Sequence, residues 1–201
     1  PFAGECLPSP TVEVAGVVVL GGSQNIDEMS QSPFLADEAR WLETCLAQQI
    51  PVLGLCLGGQ LLAHVLGAQV GPREDGIVEF GYYPIHRAAQ CADFVPDNFF
   101  VMQWHGRGFE VPAGAEVLAT GEVFPNQAFR YGDTAYGLQF HPECTLSVLR
   151  RWQEYEEAPW DKPGAQSRDE QNRLAQVHMA TMHDWFTGLL DRLFCAINRT
   201  I

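Results

Sequence analysis

Apolar positions along the chain fall into two kinds of pattern. Val17–Leu20 is a short continuous run of branched aliphatic residues, which predicts a strand buried on both faces, the habit of a parallel sheet, and Val52, Leu53 and Leu55 make a second short apolar run behind Pro51. Between them Leu35, Ala39, Leu42 and Leu46 recur at steps of four, three and four, the stripe of an amphipathic helix. Ser32 stands as its N-cap and Pro33 as its first helical residue. Behind the second run, Leu61, Leu62, Val65 and Leu66 are again spaced for one helical face. Strand, helix, strand, helix in this order predicts a βαβ crossover with helices on both faces of the sheet. Asn25–Gln31 reads as a polar loop, and the proline-bearing Pro1–Thr11 as a connector.

Further along, Ile77–Phe80 and Tyr82–Ile85 predict the two arms of an antiparallel hairpin. Phe99–Gly108, Val117–Ala119, Ala128–Tyr131 and Ala135–Phe140 supply further strand material. Thr145 is placed to cap a helix over Leu146–Glu157, and Ala158–Gln166 is a break. Ser167–Glu170 forms a capping box before a long helix with Met182, Phe186, Leu189, Leu193 and Ile197 on one face. The expectation is one domain over residues 1–201, an α/β three-layer sandwich with a mainly parallel central sheet of flavodoxin-like kind.

Length and charge narrow the function. A chain of 201 residues has room for one full core, and its formal net charge of −13 argues against nucleic-acid and anionic-membrane surfaces. No apolar run reaches the roughly 20 residues of a membrane span. The six cysteines show no C-x-x-C and no framework spacing, so they read as reduced thiols of a cytoplasmic protein. The six histidines are scattered, so neither a metal nor an organic cofactor is expected.

Candidate chemistry gathers at two stretches. In Pro51–Leu66, PVLGLCLGGQLLAHVL, Cys56 sits where the strand passes into the helix, with Gly54 before it and Gly58 and Gly59 after it. That is a nucleophile elbow written with Cys, in which glycines permit a strained turn and the helix N-terminus favours thiolate. A cysteine nucleophile needs a base, and the base needs an orienting group. Tyr136–Glu143, YGLQFHPE, offers His141 at a strand end, Pro142 to stop the strand, and Glu143 to turn back on the imidazole.

A single cysteine in an apolar stretch is most often an inert core thiol. Here GLCLGGQ and GLQFHPE each carry several constraints at once. Together they resemble the class I glutamine amidotransferase family, of the stand-alone kind similar to the glutaminase domain of GMP synthase, over about Val17 to Leu149. The resemblance implies that Cys56, His141 and Glu143 form a catalytic triad. It implies an oxyanion hole from Leu57 and the Gly22/Ser23 turn, and contacts to substrate from Gln60, Trp104, His105 and Gly106. Arg107 departs from the GMP synthase pattern beside that last group.

The implied substrate is glutamine or another γ-glutamyl compound. Three readings follow from it: a glutaminase that passes ammonia to a synthetase partner, an independent γ-glutamyl peptide hydrolase, and a non-catalytic binding or regulatory domain of the same fold. The family opens with a strand, a helix and a second strand before the segment matching Val17–Leu20. Such a unit needs on the order of 30 residues, and the sixteen here are interrupted by prolines. The N-terminal unit is therefore expected to be incomplete, with Val17–Leu20 an open sheet edge that favours a homodimer and weak activity.

Overall fold

The computed structural model describes residues 6–10 and 14–195. Along the chain come β1 (Val17–Val19), α1 (Pro33–Ala47), β2 (Val52–Leu55), α2 (Leu57–Val65), β3 (Val70–Pro72), β4 (Glu79–Arg87) and β5 (Phe99–His105). They are followed by β6 (Arg107–Phe109), β7 (Glu116–Gly121), β8 (Asn126–Tyr131), β9 (Ala135–Leu138), α3 (Leu146–Gln153) and α4 (Arg168–Leu190). A π-helical turn, Asp191–Cys195, continues α4.

β2 is buried at every position, which is why it carries no polar side chain. It pairs in parallel with β1 on one side and with β9 on the other. The sheet runs on through β8, β7, β4 and β5, each antiparallel to its neighbour. Successive reversals return β7 and β5 to the direction of β1, β2 and β9. Five of the seven strands thus point one way, with β8 and β4 against them. β3 and β6 form a separate antiparallel ribbon.

Period-two alternation divides the core into two layers. Val52 points to the side of α1 and α2, into a cluster with Leu35, Leu42, Leu61 and Leu62. Leu53 and Leu55 point the other way, into a cluster with Leu149, Leu174, Met182 and Leu189 from α3 and α4. Helices cover both faces, giving the expected three-layer α/β sandwich. Thr145 and Ser167 cap α3 and α4 through their side chains, as their positions predict.

Three local expectations need correction. The predicted arms Ile77–Phe80 and Tyr82–Ile85 are one strand, β4, whose hairpin partner is β5. Gly81, which lies between the two predicted arms, continues the strand at φ 137°, and a Cβ there would meet the Gln166 side chain at 2.2 Å. Gln166 in turn bonds both the N–H and the carbonyl of Tyr82. The expected loop over Asn25–Gln31 contains a 3-10 helix, Ile26–Gln31, anchored by buried Ile26. Helix α3 ends at Gln153, four residues before the expected Glu157. Ile197 of the predicted stripe lies outside the described residues.

Among the described residues β1 pairs only with β2 and stands at the edge of the sheet. Val18 is 42% exposed and Leu20 61%. A cleft of about 540 Å³ runs beside them, with Leu7, Phe34 and Trp41 on its lining.

Candidate active site

Strand direction assembles the site. β1, β2, β9 and β5 all run towards the same edge of the sheet, the end at which open α/β sheets take their ligands. Curling brings β5 back beside β9, where the His141 N–H donates to the Met102 carbonyl at 2.8 Å. Residues that follow four distant strands therefore line one cavity of about 630 Å³: the Gly21–Asn25 turn, Cys56, Trp104–Arg107 and His141.

Cys56 occupies the strand-to-helix joint at φ 50°, ψ −108°. Its N–H donates to the Leu138 carbonyl at 2.8 Å, and its own carbonyl accepts the first helical bond from Gln60 at 2.9 Å. A Cβ on Gly58 would stand 2.1 Å from the Val19 carbonyl oxygen, so only glycine lets α2 begin this close to β1. The Cys56 sulfur lies 3.8 Å from the Trp104 carbonyl and 3.9 Å from Gln139 Nε2.

His141 Nδ1 is held by Glu143 Oε1 at 2.8 Å, and Cys56 lies beside the same ring. With Nδ1 engaged by the carboxylate, Nε2 is the ring nitrogen left for proton transfer. Burial acts to lower the imidazole pKa, but Cys56 and then Glu143 outweigh it and raise the value to about 10. His141 therefore carries its proton at neutral pH. Gly21 packs against both partners: an added Cβ would lie 2.7 Å from His141 Cε1 and 3.5 Å from Cys56 Cβ.

The other predicted site residues divide by how free they are. The Leu57 N–H is the first of α2, where no intrahelical acceptor exists, and no partner for it appears among the described residues. Gly22 and Ser23 line the same cavity. Gln60 is buried, not on an exposed helix face. Its Nε2 donates to the Arg107 carbonyl at 2.9 Å and to Gln139 Oε1 at 3.3 Å, which leaves Oε1 for a ligand.

His105 is also buried. Its Nε2 contacts Glu79 Oε2 at 2.9 Å and its Nδ1 the Arg107 carbonyl at 2.8 Å, so what it offers the cavity is backbone. Gly106 and Trp104 border the cavity beside it. The Arg107 guanidinium is tied to Asp27 at 2.6 Å and Glu28 at 3.4 Å.

Burial pushes the Cys45 and Cys144 thiols up, and with the adjoining Glu116 carboxylate it moves Cys91 to about 11. Among the described residues no group of three His, Cys, Asp or Glu could hold a metal ion. Nor is any described helix long and apolar enough to cross a membrane.

Two features of the site escape a reading of the motifs. Gln139 lies inside GLQFHPE yet reaches the sulfur through its side chain. Val148, Arg151, Trp152 and Tyr155 also line the cavity. Their spacing of three, one and three was visible as a helix face, but only the fold shows that it faces Cys56.

Residues 5–151 match the model of the family described as glutamine amidotransferase class-I. The chain is 37% identical over 137 residues to a glutamine-hydrolysing GMP synthase of Thermomicrobium roseum, a match covering 67% of this chain and 24% of the relative. It is 32% identical over 157 residues to a glutamine amidotransferase-like protein of Salmonella typhimurium, covering 74% of this chain and 64% of the relative. The chain thus spans less than two thirds of either relative and about a quarter of the first. A crystal structure of a glutamine amidotransferase from Thermotoga maritima superposes with a TM-score of 0.84 at 35% identity, over 96% of this chain and 84% of the other.

Proposed function

From a chain that belongs to the class I glutamine amidotransferase family, we propose an amidohydrolase that cleaves the side-chain amide of glutamine through Cys56, His141 and Glu143. The observation that carries the reading is the His141 ring, bonded to Glu143 at 2.8 Å and set beside Cys56 on the wall of one cavity.

The Cys56 thiolate attacks the γ-carbonyl carbon. The Leu57 N–H and the Gly22/Ser23 turn receive the developing oxyanion, each such donor being worth roughly 3 kcal/mol in the transition state. As the C–N bond breaks, His141 gives its proton to the leaving nitrogen. It then takes a proton from the water that opens the thioester and releases glutamate. Glu143 keeps the imidazole in the tautomer and orientation both steps require. Gln60 Oε1 and the Trp104–Gly106 backbone hold the amino-acid end of the substrate. The ammonia passes to an acceptor on a synthetase partner.

Release of ammonia and glutamate from glutamine by the purified chain, compared with Cys56→Ala, tests the reading. Equal rates from the two proteins would overturn it.

A further inference from the structure

Cleavage of glutamine at Cys56 gives no part to a buried acidic group just behind the cavity. Glu79 in β4 stands directly opposite His105 in β5, on the same face of the sheet. The two side chains are 2% and 3% exposed. His105, Gly106, Arg107 and Gln60 line the cavity, and Glu79 does not. Burying a carboxylate, even a paired one, costs more than burying an apolar residue of the same volume. Packing alone therefore does not account for Glu79.

The contacts of Glu79 lead to the substrate side of the cavity. Glu79 Oε2 lies 2.9 Å from His105 Nε2 and accepts from Gln127 Nε2 at 3.1 Å. Gln127 is fixed in its turn, since Nε2 also donates to the Phe124 carbonyl at 3.1 Å and Oε1 accepts from Gln103 at 2.7 Å. The Phe124 ring meets the His105 ring edge-on, with centroids 4.5 Å apart. The imidazole is thus held from the sheet side, and Nδ1 is the nitrogen left to it.

That nitrogen reaches across the Gly106 break between β5 and β6 to the Arg107 carbonyl, 2.8 Å away. A carbonyl only accepts, so Nδ1 donates there. The same carbonyl accepts from Gln60 Nε2 at 2.9 Å. It is this shared acceptor, with Gln139 Oε1 at 3.3 Å, that turns the Gln60 amide so that its Oε1 is free for a ligand. None of the contacts of His141 or Glu143 belongs to this line.

We propose that Glu79 is a positioning residue for the substrate. Through His105 it fixes the Arg107 carbonyl, and with it the Gly106 backbone and the Gln60 amide that hold the amino-acid end of glutamine. The inference rests on the Cys56/His141 reading above and adds to it the group that sets its binding side. Interactions with the end of a substrate that does not react are made equally in the ground and transition states. Their loss raises KM and leaves kcat in place.

The test is kcat and KM for glutamine with the purified full chain, Glu79→Met and Glu79→Gln. Methionine fills the space and accepts no hydrogen bond from His105, so KM should rise by at least about tenfold while kcat stays within about threefold. Glutamine keeps an acceptor at the same place and should restore KM to within about threefold of wild type. Alkylation of Cys56 by iodoacetamide needs the thiolate but no amino-acid end, and its rate should be the same in all three proteins. Labelling by a diazoketone analogue of glutamine, which needs both, should slow in Glu79→Met at limiting reagent. Where Glu79→Met does not fold, Gln127→Met removes one donor to the carboxylate and should raise KM by about threefold or more.

An unchanged KM in the methionine variant, a fall in kcat without a rise in KM, or a Glu79→Gln enzyme no better than Glu79→Met overturns the positioning role and leaves the Cys56 reading standing. Slower iodoacetamide alkylation in step with lost turnover would mean that Glu79 serves only the fold, and overturns it too. A wild type that neither hydrolyses glutamine nor is labelled at Cys56 by the diazoketone overturns both readings.

Discussion

Cys56 stands at φ 50°, a region that costs a non-glycine residue about 1–3 kcal/mol and persists where the surroundings impose it. Here the imposing groups are the Leu138 carbonyl on one side and the first turn of α2 on the other. The strain aims the sulfur at His141. A diazoketone analogue of glutamine should therefore label Cys56 stoichiometrically, and Cys56→Ala should remove turnover while the far-ultraviolet circular dichroism stays unchanged. Peptide mapping that put the label on Cys45, Cys91 or Cys144, whose thiols burial holds up, would sink the assignment.

His141 gives a second expectation, with a definite sign. Its pKa is raised, so the acid form persists through neutral pH and is lost as pH rises through about 10. The alkaline limb of kcat/KM should fall there. Glu143→Gln removes one of the groups that raise the pKa, so the limb should move to lower pH, with a smaller loss of rate than the roughly 10²–10⁴-fold expected for His141→Ala. A Glu143→Gln enzyme whose limb stays in place would show that the carboxylate does not act on the imidazole. Cys56, His141 and Glu143 were legible in the sequence because glycines and a proline fix their backbone settings. Gln139 was not, because its amide is turned towards the sulfur by Gln60, which approaches from another element.

At the scale of elements the elbow is a contact among three backbones. A Cβ at Gly54 would meet the Gly58 carbonyl at 2.4 Å, and one at Gly58 would meet that of Val19 at 2.1 Å. Neither neighbour is a flexible side chain that could swing away. Gly58→Ala should therefore cost about 1–3 kcal/mol, a Tm loss of several degrees in a domain of this size, and should lower activity as α2 shifts. A melting curve superposable on wild type would show that the β1–α2 approach has slack. The same element-level physics explains a misreading. Gly81 has the look of a turn residue, yet it spares room for Gln166, which arrives from far along the chain to bond Tyr82 on both sides. A glycine that serves close approach cannot be told from one that serves a turn until its partner is in place.

At the scale of the molecule, β2 was legible as an apolar run because a strand covered on both faces can hold little else, whereas β1, read the same way, has one face open, with Val18 42% exposed. The return of β5 to β9 was not legible, since it depends on accumulated twist across the sheet and joins residues with no pattern in common. That return places Trp104 beside Cys56. The opposite edge has a different consequence. β1 pairs only with β2 among the described residues, Val18 and Leu20 are exposed, and an apolar cleft lies alongside. A free edge of this kind presents unpaired backbone groups next to apolar surface, and the relief open to it is another strand. In solution the chain of residues 1–201 should therefore associate as concentration rises, most simply as a homodimer joined edge to edge. Val18→Lys places a charge in the middle of that edge, a substitution that blocks strand addition while leaving the β1–β2 ladder intact. Light scattering after size exclusion should show the wild type shifting towards dimer with concentration and Val18→Lys remaining a monomer. Because β1 leads into the Gly21–Ser23 turn, the dimer should also turn over glutamine faster per chain than the dilute monomer. A wild type that stays monodisperse and monomeric at every concentration, with constant specific activity, would mean that the edge is already satisfied.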